Sequence, residues 1–250
     1  MLHFKYYQII LTVSTVLICC ISFPAYSQLD GKKNSIRVNI TNPLIFGIKS
    51  FNFSYERIVG KHQSFSIGMG QMYLPVLRGD ESDTVHLQNN TNETGFNLSV
   101  DYRFYLAKEN KYEIPRGIYI GPYYSYNQFS RSNDWLMNSS SFTGTVNTNL
   151  AIKINTFGAE LGYQFLLWKR LAIDLVMFGP GVGFYNIKAK INTTLDEGDK
   201  ELFYEKLNDY LADKIPGYSI VIGDGEFKKN GSVKTTALGY RYMVNLGFRF

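Results

Sequence analysis

Cysteine occurs only as Cys19 and Cys20, within the first apolar segment. Beyond them a disulfide framework, thiolate chemistry and a Cys-ligated zinc are excluded. Histidine is nearly as scarce, with three residues, His3, His62 and His86. Neither His62 nor His86 has a serine or carboxylate at an interpretable spacing, so a nucleophile–base arrangement has little to stand on. No Lys/Arg run of the nucleic-acid-binding kind is present, although the chain is mildly basic, with 26 Lys+Arg against 21 Asp+Glu. No P-loop signature occurs, and the glycines at Gly68/Gly70 and Gly179/Gly181/Gly183 read as strand glycines. After Ser27 no apolar run reaches the length of a spanning helix, so entry into a membrane would require a closed sheet. No repeat, low-complexity tract or linker divides the chain.

The amino terminus carries Lys5, an apolar run from Ile9 to Ile21, and the small residues Ala25 and Ser27. This pattern predicts a secretory signal peptide over 1–27, cleaved after Ser27, and one domain over 28–250. Alternatives are a retained anchor helix and a lipoprotein site at Cys20, but the run is short for a span and Ser27 satisfies the small-residue rule. Both cysteines would be lost with the leader, and Lys5 would be the only charge removed.

What the chain does have is tyrosine (19), phenylalanine (18) and glycine (22), with little proline (7), a composition rich in strand formers. The last fourteen residues show how they are used. Leu238, Tyr240, Tyr242, Val244, Leu246, Phe248 and Phe250 alternate with Ala237, Gly239, Arg241, Met243, Asn245, Gly247 and Arg249. A period of two puts the sets on opposite faces of a strand, one greasy and aromatic, the other polar or small. The same reading predicts strands over 35–46, 51–58, 63–74, 94–106, 116–129, 149–168 and 171–187, giving eight in all. A change of phase near Asn155–Phe157 predicts a β-bulge in strand six. Polar stretches at 78–93 and 130–147 and an insertion at 188–234 read as long loops on one side, opposite shorter turns. The expected fold is all-β, an eight-stranded antiparallel transmembrane up-and-down β-barrel with a short helix in the loop between strands seven and eight.

Four segments carry a resemblance: Phe51–Arg57, Asp101–Leu106, Arg116–Tyr124 and Leu246–Phe250. On them the chain resembles small eight-stranded outer-membrane barrels of the OmpA/OmpX type, and more narrowly the uncharacterised barrel family of Bacteroidota outer membranes. The resemblance implies a bacterial outer-membrane location and contact with outer-membrane lipid. It also implies recognition by the barrel-assembly machinery through Tyr242, Leu246, Phe248 and Phe250.

The polar faces collect Glu56, Asp101, Arg103, Glu160, Asp174, Arg241 and Arg249, which predicts a lumen network of ion pairs, since buried charges persist only when paired. An eight-stranded interior is just wide enough for side chains to fill, so a plug is expected over a conduction path or an acid/base pair. Leu202, Phe203, Leu207, Tyr210, Leu211 and Ile215 recur at helical spacing, with Asp196, Glu197 and Asp199 suited to the amino end and Pro216-Gly217 to the stop. Trp168, Tyr123, Tyr124 and Tyr126 read as interfacial girdle residues. The function expected is a structural, adhesion or loop-mediated binding role toward an extracellular protein or glycan, without cofactor, metal or nucleic acid. Alternatives are a narrow pore for small solutes or ions, an outer-leaflet lipid-modifying enzyme, and a soluble lipocalin-like barrel with inverted faces.

Overall fold

Period-two alternation builds eight strands: β1 (Asn34–Asn39), β2 (Phe51–Gly60), β3 (Gln63–Gln71), β4 (Val85–Tyr105), β5 (Gly117–Asn138), β6 (Thr143–Leu167), β7 (Leu171–Ile191) and β8 (Ser232–Arg249). A short helix, α1 (Thr41–Phe46), follows β1, and a longer one, α2 (Glu197–Lys214), precedes β8. The computed structural model describes residues 32–73, 85–106, 108, 109, 112, 114–214 and 231–250. The predicted leader at 1–27 lies outside them. Each strand pairs antiparallel with its sequence neighbour, and β1 pairs with β8, so the sheet closes as an up-and-down barrel. Followed from Val100 through Tyr124, Phe157 and Val182, the register reaches Leu238; followed through Ile67, Tyr55 and Ile36, it reaches Phe248. This stagger of ten residues on β8 tilts the strands by roughly 35–45° to the barrel axis. The end with both Asn34 and Phe250 and the turns at 61–62, 106–116 and 168–170 is called lower here, and the other end upper.

β1 stops at Asn39, short of the 35–46 expected. The Asn39 Oδ1 accepts the Asn42 amide (2.7 Å), and Pro43 has no amide to donate to a ladder. The chain turns into α1 instead. Ile40 N donates to Val244 O (2.9 Å) and Val244 N donates to Thr41 Oγ1 (2.8 Å), so α1 leaves β8 at Val244. Leu44 and Ile45 in α1, and Ile48 just after it, are 82%, 60% and 88% exposed.

The upper loops are shorter than expected. Residues 85–93 belong to β4, and 130–138 and 143–147 belong to β5 and β6, with only 139–142 between them. His86 therefore sits in a strand, opposite Leu136, and not in a loop. The bulge is also placed differently. On β6 the even positions face inward from Val146 to Gln164, with no change of facing at Asn155–Phe157. Register shifts occur instead at Leu161/Gly162 and at Val176/Gly179, where Met177 and Phe178 both point outward.

What changes near Asn155–Phe157 is chemistry. Below it the outward residues of β6 are Phe157, Ala159, Leu161, Tyr163 and Phe165; above it they are Asn155, Lys153, Ala151, Asn149 and Asn147. The inward residues invert in the opposite sense, from Gly158, Glu160 and Gln164 below to Ile154, Ile152, Leu150 and Val146 above. The same inversion occurs on β5 between Tyr126 and Gln128, on β7 between Phe184 and Asn186, and on β8 between Leu238 and Thr236. The lower half thus wears an apolar belt, nine residues tall on β4 (Phe96 to Phe104) and on β5 (Ile118 to Tyr126). The upper half has an apolar interior built from Phe129, Trp135, Met137, Val146, Leu150, Ile187 and Val233.

Candidate functional site

The interior is layered. At the bottom three guanidinium groups meet four carboxylates. Arg37 on β1 donates Nη1 to Asp174 Oδ2 (2.8 Å) and Nη2 to Ser66 Oγ (2.6 Å), with Glu56 Oε2 at 3.6 Å. Gly247 faces its stem, where any Cβ would collide with Arg37 Cγ. Arg103 on β4 donates Nε to Asp101 Oδ2 (2.7 Å), Nη2 to Asp174 Oδ2 (3.1 Å) and Nη1 to Gln164 Oε1 (3.3 Å). Its guanidinium lies 4.3 Å from the centre of the Tyr119 ring, a cation–π contact. Arg241 on β8 places Nη1 at 3.2 Å from Glu160 Oε2 and Nη2 at 3.5 Å from Asp101 Oδ1.

The carboxylates have further donors. Glu56 accepts from Ser35 Oγ (3.1 Å), Ser64 Oγ (2.7 Å) and Tyr105 Oη (3.0 Å), and Asp174 accepts from Tyr119 Oη (2.7 Å) and Asn245 Nδ2 (3.0 Å). Every strand contributes a side chain to this cluster, which therefore fastens the barrel across its width. Arg37, Arg103, Glu56 and Asp174 are at most 1% exposed. Charges this deep are tolerated because each is ion-paired, and Arg37, Arg103, Glu56 and Asp174 are hydrogen-bonded as well, whereas Glu160 has its ion pairs with Arg241 and Arg103 alone; removing one partner of such a pair costs about 3–5 kcal/mol.

Above the charges lies an amide layer. Asn52 donates to Asn97, Asn97 donates to Asn127 (2.6 Å), and Asn39 donates to Asn245 (3.1 Å). A void of about 10 Å³ beside it, lined by Arg37, Asn52, Ser99, Arg241 and Asn245 among others, is about the size of one water. The Arg131–Glu93 pair follows. Over that, α2 lies against the inward face of the upper wall, burying Phe203, Tyr204 and Leu207, with the Phe203 ring edge-on to Trp135 (6.0 Å between centroids). Asp196 Oδ1 accepts the Asp199 amide (2.7 Å) and caps the helix. The Asp199 carboxylate accepts from Ser139 Oγ (2.7 Å) and Ser141 Oγ (2.9 Å), tying the helix start to the β5–β6 turn. Burial pushes the Tyr204 phenol above its usual range and keeps it neutral where it donates to Ala189 O (3.3 Å).

Of the residues singled out from sequence, the structure brings Glu56, Asp101, Arg103, Glu160, Asp174 and Arg241 together. It places Arg249 lower, opposite Ser35 at the mouth. Arg37 was missed, although a cation between the outward Ile36 and Val38 signals an inward position; Gln164, Tyr105 and Tyr119 were missed with it. Tyr123 is not a girdle residue: it faces the lumen, donates to Gly179 O (2.9 Å) and lies under Arg241. Inward Gly158 and Gly162 on β6 make room for the Tyr123 and Tyr119 rings, which any Cβ there would strike. Tyr124 and Tyr126 do face outward at the upper edge of the belt, and Trp168 is exposed in the lower β6–β7 turn. Of the α2 face, Phe203 and Leu207 are buried and Leu202 packs beside them, whereas the side chains of Tyr210 and Leu211, and Ile215 altogether, lie outside the described residues. Tyr242, Leu246, Phe248 and Phe250 are all exposed on the outer surface. No cluster of His, Cys, Asp and Glu suited to a metal occurs among the described residues.

The chain matches the family described as Protein of unknown function (DUF3575) over residues 13–212. No curated protein matches it. Among solved structures, it is similar to a major outer membrane protein from Thermus thermophilus, at 10% identity and a TM-score of 0.36, over 87% of this chain and 98% of that one.

Proposed function

The chain belongs to the DUF3575 family of proteins of unknown function, and we propose that it is an integral β-barrel of the bacterial outer membrane with a closed lumen and a structural, adhesion or binding role on its outer side. The observation that carries this reading is the inversion of the apolar face at constant side-chain alternation. A soluble calyx would keep its apolar side chains inside along the whole strand. Here they point out over nine residues of β4 and of β5 and point in above. About 9–11 tilted residues span a bilayer core, so hydrocarbon outside the lower half and water outside the upper half explain both faces. Tyrosines edge the belt: Tyr124 donates to Asn155 (2.8 Å) and Tyr126 to Gln128 (2.7 Å) above, and Tyr102 donates to Gln63 (2.7 Å) below.

The lower end faces the periplasm, since outer-membrane barrels keep short turns and the termini of an even-stranded chain on that side. Export by a cleaved 1–27 leader, lipid contact along the belt, and assembly through a terminal signal at Tyr242, Leu246, Phe248 and Phe250 belong to this reading. So does kinship with OmpA/OmpX-type and Bacteroidota barrels. The charged cluster below and the α2 core above support a plug and disfavour a pore. A lipid-modifying enzyme is not proposed: His62 lies in a lower turn, and His86 sits in β4.

Membrane fractionation with heat-modifiable gel mobility tests location and closed fold together. Recovery in the soluble fraction would refute the membrane assignment. Single-channel recording tests the plug: no steady conductance is expected, and one abolished by Arg241→Ala would convert the reading to a narrow pore.

A further inference from the structure

The outward face of β6–β8 changes character immediately above the belt. Lys153 pairs directly with Asn186, and Asn186 pairs with Lys234, forming one rung across three strands. Lys188 stands two residues above Asn186, opposite Ser232 and Ala151, and Lys190 follows it opposite Asn149. All four lysines are exposed, and none forms an ion pair among the described residues. No carboxylate occupies an outward position of β6, β7 or β8 above the belt. At the corresponding height β5 shows Gln128, Ser130 and Ser132, so the row of lysines ends at β6 on that side. Strand spacing puts the Lys153 and Lys234 backbones roughly 10 Å apart, within reach of one headgroup. The next rung down is Asn155, Phe184 and Thr236, and the apolar Phe157, Val182 and Leu238 lie below that on the same three strands.

Cations two or three outward positions above the last apolar residues Phe157, Phe184 and Leu238, with no ion pair among the described residues, are placed at the height of lipid phosphates, with aliphatic stems reaching toward the apolar edge and ammonium groups at headgroup level. We propose that Lys153, Lys188, Lys190 and Lys234 form a binding site for the phosphate groups of a phosphorylated lipid in the outer leaflet. The lipid's acyl chains would lie against the belt on β6–β8. This inference rests on the membrane reading above and adds a ligand class and a side of the barrel to it.

The test uses the full-length protein in nonionic detergent, titrated with fluorescent diphosphoryl lipid A and with its dephosphorylated form. The wild type is expected to bind the phosphorylated form about tenfold more tightly or better. The variant carrying Lys153→Gln, Lys188→Gln, Lys190→Gln and Lys234→Gln is expected to lose that preference, and Lys61→Gln/Lys169→Gln at the lower end to keep it. Heat-modifiable mobility checks that each variant is folded. If the fourfold variant fails this check, Lys188→Gln/Lys234→Gln carries the test, with a partial loss expected. Equal binding of both lipid forms, or an unchanged preference in the folded lysine variants, would overturn the site. Displacement of the lipid by millimolar inorganic phosphate would also overturn it, because the site would then be one for free phosphate. A wild type that stays in the membrane fraction but shows no phosphate preference refutes only this site; one that leaves the membrane fraction refutes the membrane reading itself.

Discussion

The lower and upper halves of this barrel use the same strands to solve opposite problems. In the lower half the residues that touch one another inside are Arg37, Arg103, Glu56 and Asp174, and the residues outside are Phe157, Leu161 and Phe165. In the upper half Trp135, Val146 and Phe203 are inside, and Ser132 and Asn149 are outside. The upper half is held by burial of apolar surface away from water. The lower half gains little from that source, because its greasy face stays outward, and depends on side-chain hydrogen bonds and ion pairs within a closed backbone ladder. A single chain can therefore carry two cores of opposite polarity provided that its surroundings change along the strand.

The largest effects are expected from damaging either interior. Phe203→Ala should cost about 3–5 kcal/mol by leaving a cavity against Trp135. Asp174→Ala should cost a similar ~3–5 kcal/mol by leaving Arg37 and Arg103 short of a shared carboxylate. Both are read from urea unfolding of protein refolded into lipid vesicles. The two residues share no partner, so the double variant should be additive to within about 0.5 kcal/mol. A strong coupling between them would break the division into halves.

Outward charge should distinguish the halves next. Leu161→Arg in the belt should cost about 2–4 kcal/mol in vesicles, whereas Asn149→Arg, of the same facing on the same strand, should stay within about 0.5 kcal/mol. Equal costs at the two positions would mean that both meet the same medium. The smallest effect concerns the fastening of α2. Asp199→Ala removes the acceptor for Ser139 and Ser141, for about 1–2 kcal/mol. Limited proteolysis should show α2 cut sooner while gel mobility of the barrel is unchanged; simultaneous loss of both would mean that the helix is integral to the lower half as well.

The lower half was legible because its alternation is chemically sharp: Phe96 to Leu106 and Leu238 to Phe250 put apolar residues on one face and, apart from Tyr105 and Met243, polar or small residues on the other. The upper strands were hidden by their own success in water. Ser130, Ser132, Asp134, Asn147 and Asn149 have the composition of a loop, yet here they are the wet side of a wall whose other side holds Phe129, Trp135 and Val146. For the same reason the inversion at Asn155–Phe157 imitated a bulge: apolar residues changed parity while the backbone did not. In the site, the strand-borne carboxylates and two of the arginines could be picked out from their polar faces. Arg37 escaped because β1 has only six residues over which to show its alternation, and Tyr123 because both faces of β5 carry aromatic rings.

By itself the sequence determined which lower-half residues share a face, because side-chain alternation is a local property of an extended backbone. It also determined the start of the loop helix, because a cap and an apolar stripe are local too. The partners across the lumen, the length of the upper wall and the helix at 41–46 in place of more strand were decided only by tertiary structure. Those depend on register and closure, which bring together residues as far apart as Arg37 and Asp174 and which no local pattern encodes.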